Sequence, residues 1–118
     1  MLDRIHIEQL EFRARVGVSG RERAKPQRIV CNITLWPQKS MDLEDDIANT
    51  VDYSRVAEST KELVSRSEFR LLETLAEKVA AHLVPQFQVR RVTVEMRKFV
   101  LPDVEFVSVT ATQQAAVG

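Results

Sequence analysis

Residues 69–96, FRLLETLAEKVAAHLVPQFQVRRVTVEM, carry two hydrophobic rhythms back to back. Phe69, Leu72, Leu75, Ala76, Val79, Ala80 and Leu83 recur at intervals of three and four, which predicts an amphipathic helix ended by Pro85. From Val89 to Met96 the period falls to two and β-branched residues take over, which predicts a strand. Downstream, Val104–Ala111 (VEFVSVTA) is a second β-rich segment beyond a turn containing Pro102. Upstream, Val56, Ala57, Thr60, Leu63 and Val64 share one face of an earlier helix, which Asp52 or Ser54 can cap. Residues 38–52 form a long, acidic connection before it. Ile29, Cys31, Ile33 and Leu35 mark a strand over Arg28–Trp36, stopped at Pro37. Between Leu2 and Val18 lies another strand. Ile5 and Ile7 alternate with His6 and Glu8, the phase is lost between Gln9 and Arg13 as at a bulge, and Val16 and Val18 resume it. The polar stretch GVSGRERAKP, residues 17–26, reads as a loop, and Gln113 to Gly118 as a frayed tail.

The order ββααββ predicts an α+β fold: a four-stranded antiparallel sheet carrying two helices on one face. Such a sheet leaves its other face and both edges open, and an open edge invites pairing. The expectation is an oligomer in which neighbouring sheets join edge to edge into a barrel.

Composition excludes several function classes. The 118 residues, 1–118, fit one domain. Seventeen Lys and Arg balance seventeen Asp and Glu, so nothing draws the chain to nucleic acid or to an anionic membrane. No apolar run is long enough to span a bilayer, and the charged, alternating start MLDRIHIEQLEF is unlike a signal peptide. With a single cysteine, Cys31, the expected setting is cytoplasmic. His6, His82 and Cys31 have no metal-ligand spacing, so no zinc site is expected while carboxylate-bound Mg²⁺ stays open, and no glycine-rich phosphate loop occurs. Both histidines read as structural or solvent-facing, and Cys31 as a small buried apolar residue.

Four residues stand out: Glu22 in the first loop, Tyr53 where the acidic connection meets the first helix, Glu73 in the first turns of the second helix, and Lys98 closing the third strand. Each alone fits a bland structural role. Together with their surroundings they form a pattern: Gly17, Val18 and Glu22 as GV-x-x-x-E; Asp45–Tyr53 as DDIANTVDY; Phe69–Ala80 as FRLLETLAEKVA; and Val92–Lys98 as V-x-V-x-x-x-K.

This pattern resembles the dihydroneopterin aldolase family over about Leu2 to Thr112. The resemblance implies the tunnelling fold, homotetrameric or homo-octameric assembly and an active site between neighbouring subunits. It implies Glu73 as the anchor of the pterin ring, whose 2-amino and N3–H donors match the two acceptors of a carboxylate. By the same resemblance the Leu72 backbone, Val18 and Asp52 line the site. The implied reaction is retro-aldol cleavage of dihydroneopterin to hydroxymethyl-dihydropterin and glycolaldehyde, in folate biosynthesis. Its electron sink is the C6=N5 imine of the substrate, so it calls for neither a lysine Schiff base nor a metal, and no cofactor is expected. Lys98 is implied as acid/base near N5, Tyr53 as the group that holds or deprotonates the 2′-hydroxyl, and Glu22 as the partner that orients hydroxyls and Lys98.

One departure is plain: most members place a proline after this lysine, whereas here Phe99 follows. That keeps an alternative open, a dihydroneopterin (triphosphate) 2′-epimerase, for which Arg21, Arg23 and Lys25 would supply a basic cluster. A non-catalytic pterin-binding scaffold is the remaining alternative.

Overall fold

Two strands of opposite phase become one continuous strand by means of a single bulge. In the computed structural model, which describes residues 2–38 and 42–116, strand β1 runs Ile5–Val16. It pairs antiparallel with β2, Gln27–Pro37, and the register slips between Ile7 and Leu10. Gln9 takes a positive φ of 58° there, and its N–H donates to Asn32 Oδ1 at 2.7 Å. The extra residue lets Ile5 and Ile7 before it, and Leu10, Phe12, Ala14 and Val16 after it, pack on the same core. The lost phase in the sequence is this bulge. Val18 does not resume the strand, which ends at Val16; Val18 is 71% exposed.

Beyond β1 the stretch expected to be loop contains a four-residue helix, α1 (Gly20–Arg23). The acidic connection holds a 3-10 turn, Ile47–Asn49, while its residues 39–41 lie outside the described residues. Helix α2, Tyr53–Ser65, starts at Asp52, whose carboxylate accepts from the N–H groups of Ser54 and Arg55. It buries Val56, Thr60 and Val64.

Phe69 is not helical. Glu68–Phe69 form β3, a two-residue strand lying parallel to the end of β1, and helix α3 begins only at Leu72 and runs to Gln86. Pro85 lies inside the last turn of α3 instead of ending it. A proline there removes one hydrogen bond, and the Phe87 N–H still closes onto the Leu83 carbonyl at 3.1 Å. Strand β4 (Val89–Lys98) pairs with β2, and β5 (Val107–Gln114) pairs with β4. The last strand starts three residues later than its pattern suggested, and Gln113 and Gln114 belong to it, not to a tail. Residues 117–118 lie outside the described residues.

The sheet order is β3-β1-β2-β4-β5, four main antiparallel strands plus the short parallel one. One face is the core: Ile29, Cys31, Ile33 and Leu35 from β2 and Val92, Val94 and Met96 from β4 meet Leu75, Val79 and Leu83 of α3 and Val56 of α2. Burying each such side chain stabilises the fold by about 1.5–3 kcal/mol. Ser59 Oγ and His82 Nε2, 2.8 Å apart, tie the two helices together, and burial pushes the Cys31 thiol up to about 12. The opposite face is polar, with Asn32, Glu95 and Thr110 in one cross-strand row and Thr34, Thr93 and Thr112 in another. No helix among the described residues is long and apolar enough to cross a membrane.

Candidate active site

The loop after β1 is built by short-range chemistry. Ser19 and Glu22 form a capping box around α1: the Ser19 hydroxyl accepts from the Glu22 N–H at 3.2 Å, and Glu22 Oε1 accepts from the Ser19 N–H at 3.4 Å. Gly17 is needed for this. A Cβ at that position would lie 2.4 Å from the Glu22 Cβ and 3.0 Å from its carboxyl carbon. Arg23 fastens the loop from within, donating from Nη1 to the carbonyls of Gly17 at 2.8 Å and Val18 at 2.9 Å, while its Nε meets Glu68 at 3.3 Å. The Gly17 N–H donates to the Phe69 carbonyl at 2.9 Å, which sets the loop beside the start of α3. Arg23 is therefore committed to the loop, and the basic cluster considered from the sequence is reduced to Arg21 and Lys25.

At the end of β4, Lys98 pairs with Ile29 on one side and Val107 on the other, so its side chain leaves on the helix-covered face. Its ammonium is 3.5 Å from Glu22 Oε2, and the lysine side chain is only 13% exposed. The Ser19 N–H holds the Glu22 carboxyl below the usual carboxylate range. Partial burial opposes this, and the Lys98 charge and the Ser19 hydroxyl add to the lowering. An acid held ionised against a largely hidden ammonium is an ion pair that fixes where the Lys98 amine sits.

Glu73 occupies the first turn of α3, exposed, in a hollow of about 300 Å³ lined also by Ala76, Glu77, Val109 and Thr110. Val109 is two residues along β5 from Val107, about 7 Å, so this hollow and Lys98 lie at the same end of the molecule. The helix start has no side-chain cap at Leu71, which leaves first-turn N–H groups, that of Leu72 among them, as donors for a ligand. The Leu72 side chain itself is buried, 6% exposed, so only its backbone can serve. Val18 joins Phe69, Leu71 and Thr74 in an adjoining hollow of about 570 Å³.

Asp52 and Tyr53 are elsewhere. Asp52 lines a hollow with Arg55, Gln86, Phe87 and Gln88 at the far end of α3, and Tyr53 beside it is 60% exposed. Thirteen residues of helix separate Glu73 from Gln86, about 20 Å. One chain therefore brings Glu22, Lys98, Glu73, Leu72 and Val18 to one end and leaves Asp52 and Tyr53 at the other. Ser19 was missed as a contributor and Gly17 was noted only as part of a motif, although the S-x-x-E spacing of Ser19 and Glu22 is a capping-box signature legible in the sequence.

Comparison with known proteins agrees with this fold. The family model described as FolB, dihydroneopterin aldolase, matches residues 5–112. Dihydroneopterin aldolase of Escherichia coli strain K12 is 31% identical over 98 residues, covering 82% of this chain and 80% of the relative. The Streptomyces coelicolor enzyme of that name is 34% identical over 113 residues, covering 94% and 95%. The crystal structure of Escherichia coli dihydroneopterin aldolase in complex with neopterin superposes with a TM-score of 0.85 at 27% identity, over 95% of this chain and 99% of that one. The sheet, its two helices and the match along nearly the whole length place the chain in one family: it belongs to the dihydroneopterin aldolases.

Proposed function

We propose that this protein cleaves dihydroneopterin by a retro-aldol reaction, as a lyase of folate biosynthesis, at a site completed by a second copy of the chain. The observation that carries this reading is the Glu22–Lys98 pair beside the uncapped start of α3, where Glu73 offers two carboxylate oxygens. Glu73 accepts from the 2-amino group and N3–H of the pterin, with the Leu72 N–H as a further donor. Tyr53 and Asp52 come from the neighbouring copy, since about 20 Å of helix separates them from Glu73 in their own.

The chemistry follows from these placements. The 2′-hydroxyl proton passes to the Tyr53 oxygen as the phenol gives its own proton to water, and the oxygen lone pair forms the C=O bond of glycolaldehyde. The C1′–C2′ bond breaks, and its electron pair passes through C6 to N5, which takes a proton from Lys98, directly or through a water. Return of a proton to C1′ and loss of one from N5 to Lys98 yields hydroxymethyl-dihydropterin. The substrate imine is the electron sink, so no step requires a metal or a covalent lysine adduct. Glu22 keeps Lys98 in place and accepts from the side-chain hydroxyls.

Incubation of the purified protein with dihydroneopterin and with its triphosphate, products separated by fluorescence chromatography after oxidation, tests the reading. Hydroxymethylpterin and glycolaldehyde from the unphosphorylated substrate are expected. Conversion of the triphosphate alone, to its 2′-epimer, would replace the lyase with an epimerase, and bound but unchanged pterin would leave a scaffold.

A further inference from the structure

Ser19 does more than end a helix. Its hydroxyl accepts from the Glu22 N–H at 3.2 Å and stands 3.3 Å from Glu22 Oε1, to which it donates. The backbone N–H of Ser19 reaches the same oxygen at 3.4 Å. With Oε1 engaged twice, Oε2 is the oxygen turned to Lys98, at 3.5 Å. The close approach of Gly17 walls the side chain on another side, and Arg23 holds the carbonyls of Gly17 and Val18, so the cradle cannot swing away. A glutamate that is 46% exposed would otherwise sample several rotamers, most of them away from the lysine.

We propose that Ser19 is a positioning residue for the cleavage, aiming Glu22 at Lys98 through a hydroxyl that accepts from the backbone and donates to the carboxylate at the same time. This rests on the roles given above to Glu22 and Lys98. Capping α1 needs only an acceptor, which Asp or Asn supplies as well as Ser. Holding a carboxylate also needs a donor, which an ionised aspartate lacks and the single Ser19 hydroxyl oxygen provides while it accepts from the backbone. An aspartate at position 19 would cap the helix, repel Glu22 and loosen its grip on Lys98.

The test compares wild type with Ser19→Ala, Ser19→Asp and Ser19→Thr, measuring kcat and KM for dihydroneopterin together with Tm. Ser19→Ala and Ser19→Asp are expected to lower kcat about tenfold with KM within about twofold, as misplacement of a reacting group does. Ser19→Thr keeps wild-type kcat, and Ser19→Asp keeps wild-type Tm. Full activity in Ser19→Asp would reduce Ser19 to a helix cap and overturn the inference, as would full activity in Ser19→Ala. Wild type that leaves dihydroneopterin intact would overturn the functional reading itself, and this role with it.

Discussion

A carboxylate that holds the edge of a ring and an amine that moves a proton fail differently when they are changed. Glu73→Gln replaces one acceptor by an N–H₂ group facing a donor, so the pterin loses a bond and meets a repulsion. Its affinity should fall about 100-fold, read by fluorescence titration with neopterin. Because Glu73 is exposed, Tm should hardly move. Lys98→Ala should do the reverse: binding within a few-fold of wild type, and single-turnover cleavage slower by about 10²–10⁴. Cleavage at the wild-type rate would remove Lys98 from the chemistry. Glu73 and Lys98 were legible as part of a motif. Ser19 was less so, because a serine in a polar loop has many uses and only its placement against Glu22 distinguishes them.

Among the elements, the bulge in β1 and the polar row beside it belong together. Gln9 donates to Asn32, Asn32 Nδ2 donates to Glu95 Oε1 at 2.7 Å, and Arg97 Nε donates to that oxygen at 2.9 Å. Partial burial pushes the Glu95 carboxyl up, but the Asn32 amide and the Arg97 guanidinium outweigh it, and it titrates below the usual range. A depressed carboxyl contributes stability above its unfolded pKa, and that contribution is lost as pH falls through the folded value. Glu95→Gln is therefore expected to cost about 1–2 kcal/mol at neutral pH, with the difference from wild type closing in acid as the wild-type carboxyl protonates. Denaturant melts at several pH values check it; a penalty that persists unchanged in acid would mean the charge is irrelevant. Strand phases on either side of the bulge were readable from Ile5, Ile7 and Val16. Strand β3 was not, since two residues have no period, and Phe69 happens to keep phase with the helix that follows.

For the whole molecule, the outline is elongated and one sheet face is polar. The radius of gyration is 15.3 Å, against about 13.5 Å for a compact domain of this length. If Tyr53 and Lys98 of one site come from different copies, two inactive variants can repair each other. Tyr53→Phe and Lys98→Ala proteins, unfolded together and refolded as a 1:1 mixture, should regain about a quarter of the wild-type sites. Activity no greater than that of the two variants refolded apart would return both residues to one copy.

Local chemistry by itself determined the order of the four long strands and two long helices and their core faces, and the family resemblance of the motifs supplied the candidate residues. Periodicity, caps and prolines act within a few residues, and the spacing of Glu22, Tyr53, Glu73 and Lys98 is written in the chain. Only the tertiary structure decided how those residues divide. The pairing of β4 with β2 and β5, and the bond from Gly17 to Phe69, bring Glu22, Lys98 and Glu73 to one end of α3, and the length of that rigid helix sends Tyr53 to the other. Distances across a sheet or along a packed helix depend on register and docking, and no stretch of sequence contains either.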